Sequence, residues 1–197
     1  MRFTVEYPVS GPGHDPALLT RAGVGAVARA ADRLGFDAIA FTEHPAPSLK
    51  WVRGGGHETL DLTAALAFCA AVTERIRLMS HLLVLPYHNP FAAAKALTTV
   101  DLLSDGRLTV VAGTGYLRSE FLALGVDFET RNERFDEALA VMRALWSSGG
   151  AAVWHEGRHF TGRGVAHLPG PAQPGGPPVL VGGNSALARR RAARQPG

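Results

Sequence analysis

Residues 37–45 read DAIAFTEHP, and this stretch decides the fold. Its apolar first half predicts a short buried β-strand, which a turn at Gly35 separates from the preceding segment. That segment repeats small apolar residues every four positions, which predicts a helix with one face turned to a core. The face comprises Leu18, Ala22, Ala26, Ala30 and Leu34. A first strand, RFTVEY at residues 2–7, precedes the helix, so residues 2–45 are interpreted as a β-α-β unit.

The same alternation continues along the chain. Further strands are predicted at residues 76–85, 107–113 and 178–183, and further helices at residues 61–73, 89–103, 130–146 and 184–194. Asn89-Pro90 predicts the cap and first residue of one helix, and Thr130 with Glu133 predicts a capping box ahead of another. Strands that alternate with helices indicate an α/β protein with a parallel sheet, either a doubly wound sheet or a (β/α)8 TIM-type barrel.

Composition indicates one ordinary globular domain. The chain has 197 residues, of which 46% are hydrophobic and 19% charged, and no apolar stretch is long enough to cross a bilayer. The first residues do not resemble a secretory signal, so a cytoplasmic protein is expected. Cys69 is the only cysteine, which excludes a disulfide framework. The arginines at 189, 190, 191 and 194 lack interleaved aromatic residues and do not indicate nucleic-acid binding.

Two features of the loops bear on the fold. The first strand-to-helix loop lacks the GxGxxG fingerprint of a dinucleotide-binding sheet, which weakens the doubly wound alternative. Residues 151–178 interrupt the alternation with a predicted hairpin that turns at Glu156-Gly157, followed by a Pro/Gly-rich segment. This part is interpreted as an insertion in a single domain that covers residues 1–197.

Polar residues follow four of the predicted strands, at the end where a TIM-type barrel carries its active site. They are Glu43 and His44; Ser80 and His81; Gly113, Thr114, Gly115 and Tyr116; and Gly182, Gly183, Asn184 and Ser185. Histidine titrates nearest to neutral pH, so His44 suits a proton donor or acceptor that Glu43 tunes. The glycines allow a phosphate or a flat ring to approach the backbone, although a tight turn before a capped helix uses the same residues.

The histidines do not predict a metal site. His57, His81 and His88 are not paired at i, i+2 or i, i+4 on one element, a spacing that would let one strand or helix supply two ligands. We therefore expect no metal.

Four blocks of sequence together resemble the bacterial luciferase-like superfamily, and more narrowly its branch of oxidoreductases that depend on the deazaflavin coenzyme F-420. The blocks are TEHP at residues 42–45, HLLVLPYHNPFAAAKALTTVDLLSDGRL at 81–108, GTGYLRSEFLALGVDFETRNERFDEAL at 113–139 and PPVLVGGNSALARRRAAR at 177–194. The resemblance extends over nearly the whole chain and keeps the order of the blocks.

The resemblance implies a (β/α)8 barrel that binds a deazaflavin, or alternatively FMN, at the C-terminal ends of its strands. It implies that Glu43 and His44 lie beside the ring, and that a non-proline cis peptide bond at Ser80-His81 forms a bulge behind it. It assigns Gly113, Thr114, Gly115 and Tyr116 to the edge and tail of the ring, and Gly182, Gly183 and Asn184 to the phosphate. Trp51, in the loop after strand two, would form a wall for the substrate.

The implied reaction is hydride transfer between C5 of coenzyme F-420 and a small organic substrate, by a homodimer. An FMN-dependent monooxygenase on the same scaffold is the near alternative. Only about five βα units are predicted, whereas a closed barrel needs eight. We therefore expect an incomplete barrel whose C-terminal portion is missing, and a non-catalytic oligomeric fragment or binding protein is the alternative of another class.

Overall fold

The computed structural model describes residues 1–9 and 13–194. Residues 10–12 of the first loop and residues 195–197 of the predicted domain lie outside the described residues. The strands are β1 (Thr4–Glu6), β2 (Ala38–Phe41), β3 (Arg77–Ser80), β4 (Leu83–Val84), β5 (Leu108–Gly113), β6 (Val153–Glu156), β7 (Thr161–Val165) and β8 (Val179–Val181). The helices are α1 (Arg21–Arg33), α2 (Leu49–Arg53), α3 (Leu62–Val72), α4 (Pro90–Leu103), α5 (Arg118–Ala123), α6 (Arg131–Trp146) and α7 (Ala186–Ala192).

The main sheet is parallel throughout, and its strands follow one another in chain order. β1 pairs with β2, β2 with β3, β3 with β5, and β5 with β8, while the short β4 continues the third strand and pairs with the end of β5. A doubly wound sheet reverses its strand order at a switch point, and no reversal occurs here. The sheet of the described residues is therefore of the barrel type. It forms part of a barrel and is open between β1 and β8, which do not pair.

The helices cover one face of this sheet. Contacts run from α1 to α3, from α3 to α4 and from α4 to α6, so these helices lie side by side. Ile39, Leu78 and Leu108 are paired in register across three strands, and all three are fully buried beneath the helices. The next residues along these strands point to the opposite face, where Ala40 and Thr109 are also buried. Met79 and Val111 on that face are only partly buried.

Two local sequence predictions are wrong. The alanine stripe of α1 does not face the core: Ala22 and Ala26 are exposed, whereas Val24, Ala28 and Ala31 are buried. The larger Val24 packs inward and rotates the alanines at positions 22 and 26 to solvent.

The predicted capping box of α6 is also absent. Thr130 has helical backbone angles and makes no capping bond, because a 3₁₀ turn at Phe128–Thr130 leads directly into α6. Asp127 caps that turn by accepting a hydrogen bond from the backbone N–H of Glu129 at 2.9 Å. By contrast, the predicted cap of α4 is confirmed, since Asn89 accepts from the backbone N–H of Phe91 at 3.0 Å.

The predicted hairpin is present as the antiparallel pair of β6 and β7. Its turn occupies residues 157–160, slightly later than the Glu156-Gly157 turn that the sequence predicts. Glu137 on α6 holds the turn, because its carboxylate accepts from the backbone N–H groups of His159 and Phe160 and bonds to the His155 ring. The hairpin is thus docked on α6, away from the sheet. Within the described residues, no helix is long and apolar enough to cross a membrane.

Candidate active site

A cleft of about 280 Å³ lies at the C-terminal ends of β2, β4, β5 and β8. Nine of the predicted site residues line it: Glu43, His44, His81, Gly113, Thr114, Gly115, Tyr116, Gly182 and Gly183. Thr42, Leu82 and Val84 complete the lining. Ser80, Asn184 and Trp51, which the sequence also predicts as site residues, are not part of the wall. The four strand ends therefore form one site, as the sequence predicts.

Glu43 points to the chain beyond β3. Its carboxylate accepts from the backbone N–H of Val84 at 2.5 Å and bonds to Nε2 of His88 at 2.7 Å. The Glu43 side chain is 9% exposed, and that of His88 is 34% exposed. Burial by itself would lower the pKa of His88, but the hydrogen bond and the charge of Glu43 outweigh it and raise the pKa above its ordinary value. Glu43 thus pairs with His88, and the two form the first acid–histidine pair of the site.

His44 points in another direction and meets a different acid. Its Nδ1 lies 3.1 Å from Oε2 of Glu120 on α5. The carboxylate of Glu120 is fully buried and also accepts from the hydroxyl of Tyr87 at 2.9 Å and from the backbone N–H of Ala46 at 3.2 Å. His44 and Glu120 form the second acid–histidine pair, and His44, unlike His88, lines the cleft.

Two tyrosines lie near the second pair. Burial, and then the negative charge of Glu120, raise the pKa of Tyr87. Burial and Glu120 also raise the pKa of Tyr116, although its ring is 63% exposed. The Tyr116 ring meets the His44 ring edge-on at 6.0 Å between centroids. Both phenols therefore remain protonated at neutral pH and can act as hydrogen-bond donors.

The cis peptide bond lies one position later than the sequence predicts. It joins His81 to Leu82, not Ser80 to His81. Regular parallel pairing with β2 continues through Ser80, and the His81 backbone N–H still donates to Phe41 O at 2.7 Å, so the bulge begins only after His81.

Ser80 has a structural place beside this bulge. Its hydroxyl oxygen accepts from the backbone N–H of Val111 at 2.7 Å and lies 2.9 Å from the carbonyl oxygen of Val111, to which it donates. The side chain thereby replaces the backbone pairing that is missing between β3 and β5. Ser80 is fully buried outside the cleft, so its predicted contact with a cofactor is not supported by its position.

Leu82, the residue after the cis bond, accounts for the presence of glycine at two positions of the cleft. A Cβ atom at Gly113 would lie 2.6 Å from the Leu82 side chain, and one at Gly182 would lie 2.5 Å from it. These two glycines therefore make room for Leu82 in the floor of the cleft. Gly115 has φ +72°, a conformation that favours glycine, and a Cβ there would also press on Val84.

Trp51 lies against His44 behind the cleft wall. The two rings are 4.4 Å apart between centroids, and a Cβ at Gly56 would overlap the Trp51 ring. A second cavity of about 330 Å³ opens on this side and is also bordered by His44, together with His57, Glu58 and the apolar Val52. His44 thus borders both the cleft and this second cavity.

The other features of the described residues do not compete with this site. No group of three or more His, Cys, Asp or Glu side chains in residues 1–9 and 13–194 is arranged to hold a metal ion. A larger cavity of about 620 Å³ lies between the end of α6 and the start of β8, at the opposite end of the sheet. Arg143 is the only ionisable side chain that lines it, so this cavity lacks the acid and histidine groups of the cleft.

Sequence reasoning missed Glu120, Tyr87 and, as a partner of Glu43, His88. Glu120 and Tyr87 lie in blocks that carry the family resemblance, but neither directly follows a strand. A signal for Glu120 is its position four residues after Tyr116, where an acid next to the apolar Phe121 falls on the buried side of a short helix. An acid on a buried helix face needs hydrogen-bond donors, and His44 is one of them.

The fold and the cleft define a barrel-type α/β protein with an ionisable site at the C-terminal ends of its strands. The family of luciferase-like monooxygenases matches residues 1–195, and the chain belongs to this family.

The similar proteins with known names include two coenzyme F-420-dependent dehydrogenases and a monooxygenase. The F-420-dependent glucose-6-phosphate dehydrogenase of Beutenbergia cavernae is 34% identical over 169 residues, which cover 83% of this chain and 47% of the relative. The enzyme of the same name from Nocardia farcinica is 32% identical over 174 residues, covering 85% and 49%. Monooxygenase RslO1 from Streptomyces bottropensis, which has a crystal structure, is 30% identical in sequence. Its structure matches with a TM-score of 0.80 over 92% of this chain and 53% of RslO1. The chain thus spans about half the length of these curated relatives.

Proposed function

We propose that the chain forms the cofactor-binding and proton-transfer part of an oxidoreductase that depends on coenzyme F-420 and acts on a small organic substrate. The observation that carries the proposal is the cleft at four strand ends, with the His44 imidazole in its wall and a buried carboxylate behind it. The two dehydrogenase relatives, whose names include this coenzyme, support the choice of cofactor.

The chemistry of the cleft fits a flat heteroaromatic ring. Leu82 and Val84 give it an apolar floor, while His44, Thr114 and Tyr116 supply polar groups at its rim. Ligand sites for such rings combine an apolar surface with a few oriented polar groups. We assign the ring to this floor, and the phosphate of its side chain to the turn at Gly182 and Gly183.

Each residue has a separate task in this proposal. A bound deazaflavin supplies or accepts the hydride at its C5 atom. His44 donates or accepts the proton that the substrate exchanges in the same reaction, through the Nε2 atom that Glu120 does not contact. Glu43 has no proton-transfer task in this proposal, because both oxygens of its carboxylate are hydrogen-bonded, one to the Val84 backbone N–H and one to His88. It fixes the position of β4, which forms part of the floor.

Calorimetric titration of the full chain with coenzyme F-420 tests the proposal. We expect saturable binding to one site with a dissociation constant in the micromolar range. Thr114→Trp, which fills the cleft, should abolish this binding. Thr161→Trp, at an exposed position of the hairpin, is the matched control and should bind as the wild type does. Absence of binding to the wild-type chain, or equal binding by both variants, would refute the proposal for this chain.

An FMN-dependent monooxygenase is the second candidate; the similarity to RslO1, a monooxygenase by name, supports the reaction class. Reduced FMN reacts with O₂, whereas the carbon that replaces N5 in a deazaflavin disfavours this reaction. Titration with FMN in parallel with coenzyme F-420, followed by measurement of cofactor-dependent O₂ uptake, distinguishes the two. Tighter binding of FMN together with O₂ uptake would favour the monooxygenase.

The remaining expectations stay predictions. A homodimer, a cytoplasmic location and the absence of nucleic-acid or membrane partners are expected for such an enzyme. Trp51 as a wall for the substrate and Asn184 as a contact for the phosphate likewise stay predictions, and neither lines the cleft. Size-exclusion chromatography with light scattering tests the dimer.

A further inference from the structure

Glu120 is the centre of a hydrogen-bond network that the cleft itself does not expose. Three donors from two segments converge on its carboxylate: His44 Nδ1 and the Ala46 backbone N–H from the loop after β2, at Oε2 and Oε1, and the Tyr87 hydroxyl at Oε2. The side chain is fully buried on α5, next to the buried Phe121. A buried acid with this many donors is held in one orientation, and it holds its partners in turn.

The network determines which nitrogen of His44 carries a proton. An ionised carboxylate only accepts hydrogen bonds, so the His44 nitrogen that contacts Glu120 must be a donor. In the neutral ring, a proton on Nδ1 leaves Nε2 as the acceptor. Among the described residues, no hydrogen bond to Nε2 of His44 occurs, and the ring borders the cleft. Trp51 on one side and the Thr59 hydroxyl, which donates to His44 O at 3.1 Å, limit rotation of the residue.

We propose that Glu120, braced by Tyr87, is the positioning residue of the site and fixes His44 in the Nδ1–H tautomer with Nε2 presented to the cleft. The tautomer follows from the hydrogen bonds to the ionised form of Glu120. Their use in catalysis rests on the proposed function, in which Nε2 exchanges the proton with the substrate. Glu120 acts through His44 and does not contact the reacting atoms.

The direct test is ¹⁵N NMR of the full chain labelled at histidine, recorded while the pH is raised through the histidine range. We expect the neutral His44 ring to show a protonated Nδ1 and an unprotonated Nε2. His44→Gln assigns the signals. A neutral ring that carries its proton on Nε2 would overturn the proposal, whether or not the chain binds a cofactor.

Two variants separate positioning from a general structural role. Glu120→Gln keeps the size of the side chain but replaces one acceptor oxygen with a donor, so it cannot accept all three hydrogen bonds. Tyr87→Phe removes one donor and leaves the carboxylate in place. We expect both tautomers of His44 in Glu120→Gln and mainly the Nδ1–H tautomer in Tyr87→Phe. If Glu120→Gln folds and keeps a single Nδ1–H tautomer, the proposal is wrong.

Kinetics supply the readout that rests on the proposed function. Glu120→Gln should lower kcat by about 10²-fold, the scale of a general acid–base contribution. Its dissociation constant for coenzyme F-420 should change less than about threefold, because the lost interaction does not contact the ring. Glu129→Gln, an exposed acid on the neighbouring turn, is the control and should match the wild type in both. Failure of the wild type to bind the coenzyme would refute the proposed function alone, while the tautomer measurement would still decide the proposal on Glu120.

Discussion

The two acid–histidine pairs of the site are built from neighbouring residues but have opposite arrangements. In the first pair, the acid Glu43 lies at the strand end and its partner His88 reaches solvent. In the second pair, the histidine His44 lies at the cleft and its partner Glu120 is fully buried. The first pair ties the backbone of β4 to the end of β2; the second presents an imidazole to the cleft. Sequence neighbours at a strand end can thus have different partners; in the proposed function, Glu43 supports the floor and His44 transfers the proton.

The largest expected difference between the pairs is catalytic. His44→Gln should lower kcat by about 10³-fold, because it removes the proton donor and acceptor of the cleft. His88→Gln should lower kcat by less than about tenfold, because His88 acts only through Glu43. Steady-state kinetics with saturating coenzyme F-420 measure both. Equal losses in the two variants would show that the pairs do not divide the tasks as proposed.

The next largest difference is in stability. Glu120→Ala should reduce the free energy of unfolding by about 3 kcal/mol, because it leaves three partly buried donors without their fully buried acceptor. Glu43→Ala should cost about 2 kcal/mol, since water can reach part of the His88 side chain and replace the lost acceptor there. Urea unfolding followed by circular dichroism measures both values. A larger loss of unfolding free energy in Glu43→Ala than in Glu120→Ala would contradict the prediction that the more deeply buried carboxylate contributes more to stability.

A substitution at Ser80 tests the bulge that places Val84 beside Glu43. Ser80→Ala removes both hydrogen bonds to Val111 and should reduce the free energy of unfolding by about 1.5 kcal/mol. Binding of coenzyme F-420 should persist, because the hydroxyl lies outside the cleft. Ser104→Ala, which removes a buried hydroxyl at the end of α4, is a matched control for stability alone. Loss of coenzyme binding only in Ser80→Ala would restore Ser80 to the predicted cofactor contacts.

The smallest expected effect is a pH dependence of the first pair. The pKa of His88 is raised in the folded chain, so the protonated ring stabilises the fold fully below its ordinary pKa of about 6.5. This contribution is lost as the pH rises through the raised pKa. It should stay below about 1 kcal/mol, because the ring is partly solvated.

Urea unfolding of the wild type and His88→Gln at several pH values measures this contribution. The difference in unfolding free energy should be largest in the acidic range and should shrink toward alkaline pH. A difference that grows with pH would contradict the charged pairing of His88 with Glu43.

Much of the fold follows from local patterns in the sequence. The five strands of the sheet, the helices between them and the hairpin follow from apolar periodicity and turn residues, and the strand ends correctly indicate one cleft. The buried face of α1 was predicted wrongly. The spacing of the alanines alone does not show that a larger residue on another face of the helix packs inward. The position of the cis bond was missed by one residue, since it depends on how far β3 pairs with β2.

The partners within the site depend on tertiary structure and could not be predicted. Glu120 lies 76 residues from His44 and His88 lies 45 residues from Glu43, so no local spacing connects them. The alternation of side chains along a strand does indicate that Glu43 and His44 point apart. It does not indicate which partner each of them meets, because the partners come together only once the strands are assembled.

A crystal structure of the full chain with bound coenzyme F-420 distinguishes the tasks of the two pairs. We expect ring density on the floor formed by Leu82 and Val84, with His44 in contact with the bound coenzyme or substrate and His88 out of contact. Density for the ring outside this cleft, or a ring that contacts His88 and not His44, would refute the assignment of the ring to this floor and of the proton transfer to His44.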